Sequence, residues 1–394
     1  MRKVVVYPIS IGKFASQIYG GLFDLAANSE IELKIAMRPP PEIHERCDWG
    51  DPLNRRIVYV DLIDNQSEKI GICYDMLDGP EIIAPNALER CNVYFKRSYS
   101  SEFIHTTVDV WQKSHPELAK KIHPYGLNMP YSSPNSHSSV QRYITFSLAT
   151  GYAQHHPLKT IRRAIRTAVL GETKLPDLPV VPPQAPSEPL IMFQTRLFDP
   201  SLHVQHDEVD QINKYRVQIV SALRREFGKQ FMGGLIPNGY TSKRYPELLT
   251  NCDTRQAEYF DLVKKCQIAV FTRGIRQSTG WRYAELLAMS RCIVSEPLAY
   301  ELPAPLLEGL NCLYFSNPDE CLAACYQILG NPTLAEQMRT ANHEYFERNV
   351  RPSSLIRNTL NAAARPWRAR RAPHHSPRTF STAPLLQLRD DRRP

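Results

Sequence analysis

The 394-residue chain contains no Cys-x-x-Cys pair, no Asp-x-Asp triplet, no Gly-x-Gly-x-x-Gly string, and no apolar run approaching the roughly 18 to 20 residues that cross a bilayer. The first absence, with nine cysteines at irregular spacing, removes zinc sites and a disulfide framework, so the thiols are expected to be reduced and buried. Without an Asp-x-Asp triplet there is no ready chelate for a divalent ion, and no metal is expected. The missing glycine fingerprint argues against a hydride-transfer enzyme and leaves no cofactor to expect. Met1, Arg2 and Lys3 precede an apolar run from Val4 to Tyr7 that Pro8 stops. That run is too short for a signal peptide, so it reads as a first strand, and a cytoplasmic location is the expectation.

What is present is the composition of a folded protein: 42% hydrophobic and 22% charged residues. The length suggests two domains rather than one. The net charge of +8 points toward nucleic acid only until its location is examined, because residues 366–394 hold seven Arg against two Asp and leave the body at about +3. This tail, with Trp367, Arg368, Arg370, Arg371, His374 and His375, is too poor in core-forming residues to pack and is expected to be disordered. It either touches an anionic surface, giving peripheral membrane contact, or is simply solvated; no nucleic-acid partner is expected.

Along residues 1–150, strand-like and helix-like patterns alternate: strands at 3–10, 31–37 and 57–62, a helix over 13–27, and further short strands at 71–74 and 92–96. This is the grammar of βαβ units and a parallel sheet. Residues 151–187 form a basic helical stretch and then a proline-rich linker, since prolines at 176, 179, 182, 183 and 186 remove donors and fix φ. The grammar restarts over 188–345, with strands at 190–194, 230–235, 268–272 and 292–295 and helices at 207–226, 256–264 and 281–290. Residues 346–365 read as a closing helix. The expected fold class is α/β, with two Rossmann-like domains facing across a cleft.

The stretch 268–297 carries the chemistry. An apolar strand feeds a loop with Arg273, Gly274, Arg276, Ser278, Thr279 and Gly280, and then a helix bearing Arg282, Tyr283 and Glu285. Such a strand-loop-helix aims backbone N–H groups and a positive dipole end at the sheet's C-terminal edge, where phosphate is welcome. Arg282 and Glu285, three apart, share a helical face. A guanidinium can grip diphosphate oxygens and a carboxylate can accept both ribose hydroxyls; alternatively the two form an exposed ion pair.

This pattern resembles the C-terminal domain of family-4-like GT-B glycosyltransferases, and more closely the group related to spore-maturation proteins, in which an Arg-x-aromatic-Glu step opens the donor helix. The corresponding residues run Arg282, Tyr283, Ala284, Glu285, Leu286, Leu287, Ala288, Met289, with the Arg and Glu at that spacing and the aromatic one place earlier, then Ile293, Val294 and Ser295, with Leu307 to Phe315 similar to that domain's next strand. The resemblance covers roughly 188–350. It implies a GT-B fold and a metal-independent transferase for polysaccharide or similar glycan synthesis, moving a sugar from a nucleotide-sugar donor to a glycan, lipid-linked or other acceptor hydroxyl. The donor would be held by Arg196, Arg273, Gly274, Thr279, Arg282, Tyr283 and Glu285. Two departures stand out: Gln277 occupies the place of the first acid of a Glu-x7-Glu pair, and Arg291 replaces the glycine after the donor helix.

Arg196, just past the first strand of this half, matches a basic residue that reaches the diphosphate in similar enzymes, or else makes an interdomain salt bridge. Gly233 and Gly234 let backbone approach a nucleotide, or form a turn. In the first half, Ser10, Ile11, Gly12 and Lys13 open a helix toward the cleft. Asp61, Asp64 and His123 lie near strand ends as candidate general bases or as turn caps. Lys96 and Arg97 suit an anionic acceptor or ordinary surface. The rival readings are a sugar-nucleotide epimerase or phosphorylase on the same plan, and a non-catalytic nucleotide- or sugar-binding protein.

Overall fold

The computed structural model describes residues 1–7, 13–36, 56–63, 68–106, 116–135, 158, 161–162 and 179–371. Ser10, Ile11, Gly12, Asp64, the Pro39 to Pro41 run, most of the basic stretch and linker over 151–178, and the tail beyond 371 lie outside the described residues.

In the first half, β1 (Arg2–Tyr7), β2 (Ile31–Ile35), β3 (Ile57–Ile63), β4 (Lys69–Asp75), β5 (Val93–Lys96) and β6 (Ile122–Pro124) form one sheet in the order β2-β1-β3-β4-β5-β6. The expected all-parallel sheet is corrected here: β3 runs antiparallel to both β1 and β4. Only positions 64–68 separate β3 from β4, far short of the dozen or more residues that a parallel crossover needs, so the pair closes as a hairpin. The remaining neighbours are parallel. Helix α1 (Ser16–Ala27) lays Ile18, Leu22 and Leu25 on Val4 and Val6. On the other face, α2 (Pro85–Arg90) and α3 (Ser101–Thr106) bring Ala87, Leu88 and Ile104 against Cys73 and Tyr94. The short α4 (Pro116–Ala119) leads into β6.

The second sheet is built from β7 (Glu188–Thr195), β8 (Phe231–Leu235), β9 (Cys266–Phe271), β10 (Cys292–Ser295) and β11 (Cys312–Tyr314), all parallel, in the order β11-β10-β9-β7-β8. The strand alternation divides its two faces. Ile191, Phe193, Ile268 and Val270 meet α5 (His206–Phe227), α9 (Pro318–Leu329) and α10 (Pro332–Tyr345). Met192, Ala269 and Phe271 meet α7 (Gln256–Lys265) and α8 (Trp281–Ala288) on the opposite side. A short α6 (Gly239–Arg244), capped by the Asn238 side chain, follows β8.

Gly233 and Gly234 both take positive φ, and a Cβ on either would run into backbone: the Phe193 carbonyl in the first case and the Leu248 carbonyl in the second. Their role is strand packing, with no open space at either for a ligand. The turn after α8, where Arg291 replaces a glycine, is a Schellman motif with Ser290 at φ 53: Ser290 N–H donates to Leu287 and Arg291 N–H to Leu286. The fully buried Arg291 guanidinium then gathers the carbonyls of Met289, Lys264 and Cys266.

The end of the linker belongs to this half, since Val181 N–H donates to the Ala288 carbonyl. The closing helix does not. After a π turn over Phe346–Val350, α11 (Pro352–Arg371) crosses to the first half, where Leu355, Ile356, Leu360, Ala363 and Ala364 complete the core around α1. It runs six residues into the stretch assigned to the tail. Gly21 makes the approach possible, because a Cβ there would strike the Pro352 carbonyl and come within 2.6 Å of Ile356 Cγ1.

Gly21→Ala should therefore destabilise the protein by about 1–3 kcal/mol, whereas Gly239→Ala, with nothing near its missing Cβ, should stay within about 0.5 kcal/mol of wild type. Urea midpoints measure both, and an unchanged midpoint for Gly21→Ala would contradict the docking of α11 on α1.

Candidate active site

In the second sheet the strand order reverses between β7 and β9, and the helices that follow these strands, α5 and α8, leave to opposite faces. A crevice opens at such a switch point beyond the carboxyl ends of the strands. Its floor is organised by Arg216, which sits on the apolar stripe of α5 and is 6% exposed. The Arg216 guanidinium donates from Nη1 to the Arg196 carbonyl at 2.5 Å, from Nε to Thr272 Oγ1 at 3.1 Å, and from Nη2 to the Arg273 carbonyl at 2.9 Å. One side chain thus ties together the loops leaving β7 and β9. Burial, then the charges of Arg282 and Arg196, push its pKa down to about 10, with Glu296 opposing. Sequence reasoning missed Arg216; the available signal was a cation at position 216 within the apolar series Val209, Val220 and Leu223.

Arg196, Arg216, Arg273 and Arg282 are thereby brought to one sheet edge. Arg273 is already paired, its guanidinium 3.2 Å from Glu296, which also accepts the Arg273 N–H at 2.7 Å. Arg196 is exposed and has no ion-pair partner among the described residues. Arg282 lies 4.6 Å over the Tyr259 ring and donates to the Gln194 carbonyl. Glu285 lies beneath it, 5% exposed, where burial raises its pKa to about 7 against the pull of Arg282 and a hydrogen bond with Gln256. The pair is not an exposed surface bridge. Gln194 itself is held by Thr250 Oγ1 and the Asp253 carbonyl, so Glu285, Gln194, Gln256 and Arg282 form a polar box beside α7.

On the α5 side of the crevice, a cavity of about 380 Å3 is lined by Glu208, Tyr215, Arg216, Arg273, Gln277 and Glu296 among others. Tyr215 stacks on Phe315 at 6.2 Å, and its hydroxyl is buried without a hydrogen-bond partner. Gly274 borders this space, with Ser278 Oγ only 2.8 Å from where a Cβ would sit. Two consecutive residues, Arg276 and Gln277, adopt positive φ of 57° and 56°. Strain of this kind persists only where surroundings enforce it, here the Arg276 pairing with Glu81 and the Gln277 N–H donated to Glu208 at 3.1 Å.

The loops at the strand ends of the two halves meet. Trp281, first residue of α8, sets its ring 5.0 Å from Phe14 and donates to Asn128 at 3.1 Å. Glu301 accepts from Ser101 N–H at 2.7 Å, so the start of α8 and its uncapped Gly280 lie on the boundary between the halves.

Not every expected site residue joins this group. Tyr283 is corrected to a core role: it is fully buried and packs edge-on against Phe271, on the sheet side of α8. Thr279 is half-buried in the loop with no hydrogen bond among the described residues. Asp61 pairs with Val5 and Gly71 in mid-strand, four positions from the Ile57 end, and is bound by Tyr7 Oη at 2.6 Å and Lys69 at 2.8 Å. That engagement removes it from the crevice. His123 lies on the edge strand β6 against Phe95, its pKa lowered by partial burial. Lys96 is 1% exposed and closed in a pair with Asp75 at 3.0 Å.

No protein-family model matches the chain, and no curated protein does. Among solved structures, it is similar to a glycosyltransferase from Rickettsia africae at 12% identity, covering 89% of this chain and 81% of that one, with a TM-score of 0.40. It is also similar to HepE from Anabaena in complex with UDP and glucose, at 10% identity over 71% of this chain and 64% of that one, with a TM-score of 0.35. A third likeness is to a UDP-GlcNAc 2-epimerase from Neisseria meningitidis bound to UDP-GlcNAc, at 11% identity over 88% and 72% of the two chains, with a TM-score of 0.34. At these scores the activity rests on the chain's own residues.

Glu285 holds its proton to about pH 7 when folded, whereas the unfolded carboxyl releases it near 4.5. Between those values the folded chain binds more protons than the unfolded one, so this residue's contribution to stability falls as pH rises through the window. Glu285→Gln, which cannot ionise, should gain up to about 3 kcal/mol over wild type at pH 8 and almost nothing at pH 4. Urea midpoints at the two pH values test this, and an equal difference at both would contradict it.

Proposed function

We propose that the chain is a GT-B-type glycosyltransferase whose nucleotide-sugar donor lies in the crevice between β7 and β9. The observation that carries this reading is the convergence of four arginines on one parallel-sheet edge, of which only Arg273 is paired with a carboxylate among the described residues, while Arg216 is used up on carbonyls and Thr272 and Arg196 and Arg282 remain for a ligand. A doubly charged diphosphate is the ligand such an edge lacks. Arg282 has only to leave the Gln194 carbonyl to meet it, and that movement also uncovers Glu285, whose carboxylate would accept the ribose hydroxyls. The sugar would occupy the adjoining cavity, where Glu208, Gln277 and the free Tyr215 hydroxyl suit a polyol and the rings of Tyr215 and Phe315 offer an apolar wall.

In the reaction, the bond from the anomeric carbon to the diphosphate oxygen breaks while an acceptor hydroxyl oxygen bonds to that carbon. Charge grows on the departing phosphate, where Arg196, the first N–H groups of α8 and Arg282, already moved onto the bound diphosphate, stabilise it. The acceptor's proton is assigned to Glu208, the cavity carboxylate that carries no ion pair among the described residues.

A melting-temperature screen against a panel of nucleotide sugars should identify one donor, and a transfer assay with it should show turnover that Arg282→Ala lowers at least tenfold with little change in melting temperature. Interconversion of the donor without acceptor would indicate an epimerase instead. Unchanged donor affinity and turnover in both Arg282→Ala and Glu285→Ala would overturn the assignment.

A further inference from the structure

Across the boundary from α8, the first half holds a second group of cations that the donor site does not use. Arg97 follows β5 and is 9% exposed; Arg56 precedes β3 and is half-buried. Their guanidinium carbons lie 5.4 Å and 4.2 Å from the centroid of one ring, Phe14, which also contacts Trp281. Both arginines pair with a single carboxylate, Asp78, at 2.6 Å for Arg56. The nearby Asp75 is committed elsewhere: it accepts from Lys96, from Tyr94 Oη at 2.6 Å and from Leu77 N–H at 2.7 Å.

The charges therefore do not balance. Lys96 and Asp75 cancel, while two guanidiniums share one acid. Arg97 Nε is buried with no hydrogen-bond partner. Burial and the like charge of Arg56 pull the Arg97 pKa down to about 10, against Asp75 and Tyr300. A dry cation with an unused donor costs folding free energy unless something else recovers it. Planar, forked donors at this spacing match an oxyanion such as phosphate.

We propose that Arg56 and Arg97 form an anion site for a phosphate-bearing acceptor, separated from the donor helix by the Phe14 and Trp281 rings. Asp78 acts as the placeholder that the acceptor's phosphate displaces. The term acceptor rests on the transferase reading; the anion site itself does not. Two sources share this chemistry, a soluble phosphate monoester and a lipid headgroup.

The test uses the full chain without nucleotide, so loss of the donor reading would leave it intact. In an Arg196→Ala/Arg282→Ala background, which removes the two crevice arginines assigned to the donor, inorganic phosphate at matched ionic strength should still raise the melting temperature. Adding Arg56→Ala should weaken the response at least tenfold. Asp78→Asn should lower the phosphate midpoint about threefold or more, because the competing carboxylate is gone. A response that disappears in the starting background, survives Arg56→Ala, or is not strengthened by Asp78→Asn overturns the proposal. Glycerol 3-phosphate and phosphatidylcholine vesicles with or without phosphatidic acid separate the sources: Arg56-dependent binding to either supports the site, and binding to neither overturns it.

Discussion

The arrangement of the second half depends on one buried guanidinium. Arg216 spends its donors on the Arg196 and Arg273 carbonyls and on Thr272, so the loops after β7 and β9 are fixed relative to each other at the point where the strand order reverses. Holding that cation away from water, beside Arg196 and Arg282, is unfavourable. Under the proposed function, the same unfavourable field makes the crevice receptive to a dianion. Architecture and ligand preference therefore share a cause, because the residue that shapes the loops also charges them.

The two halves are joined by more than a linker. α11 returns from the second half to complete the core of the first, and Trp281 reaches Phe14 and Asn128 at the start of α8. Between the halves, the Arg276 and Gln277 backbone is held in left-handed geometry by Glu81 on one side and Glu208 on the other. The start of α8, the strained loop and the Trp281 contacts to the first half occupy one continuous stretch of chain.

Much of the second half was legible in the sequence because its strands are buried on both faces and read as short apolar runs: β7, β8, β9 and β10 lie within a few residues of their expected positions. The loop at 273–280 and the start of α8 do stand at the carboxyl end of β9, as the strand-loop-helix pattern reads. Other features depended on tertiary context. Strand direction in the first half turns on a five-residue connection rather than on periodicity. Tyr283 sits next to Arg282 in sequence but faces the sheet, because one step along a helix turns a side chain by about 100°. Arg216 was passed over, because what its guanidinium holds together is set by loops distant in sequence. Lys96 and Arg97 are adjacent in sequence, yet one is neutralised by Asp75 and the other is left with a surplus of charge.

The central claim is that the edge between β7 and β9 is a diphosphate cradle. A crystal structure of the chain grown with UDP tests it most directly. The account predicts the diphosphate between Arg196 and the first turn of α8, Arg282 swung off the Gln194 carbonyl onto phosphate oxygens, and the ribose on Glu285. A nucleotide bound elsewhere, with Arg282 still on Gln194 and Glu285 still covered, would contradict it.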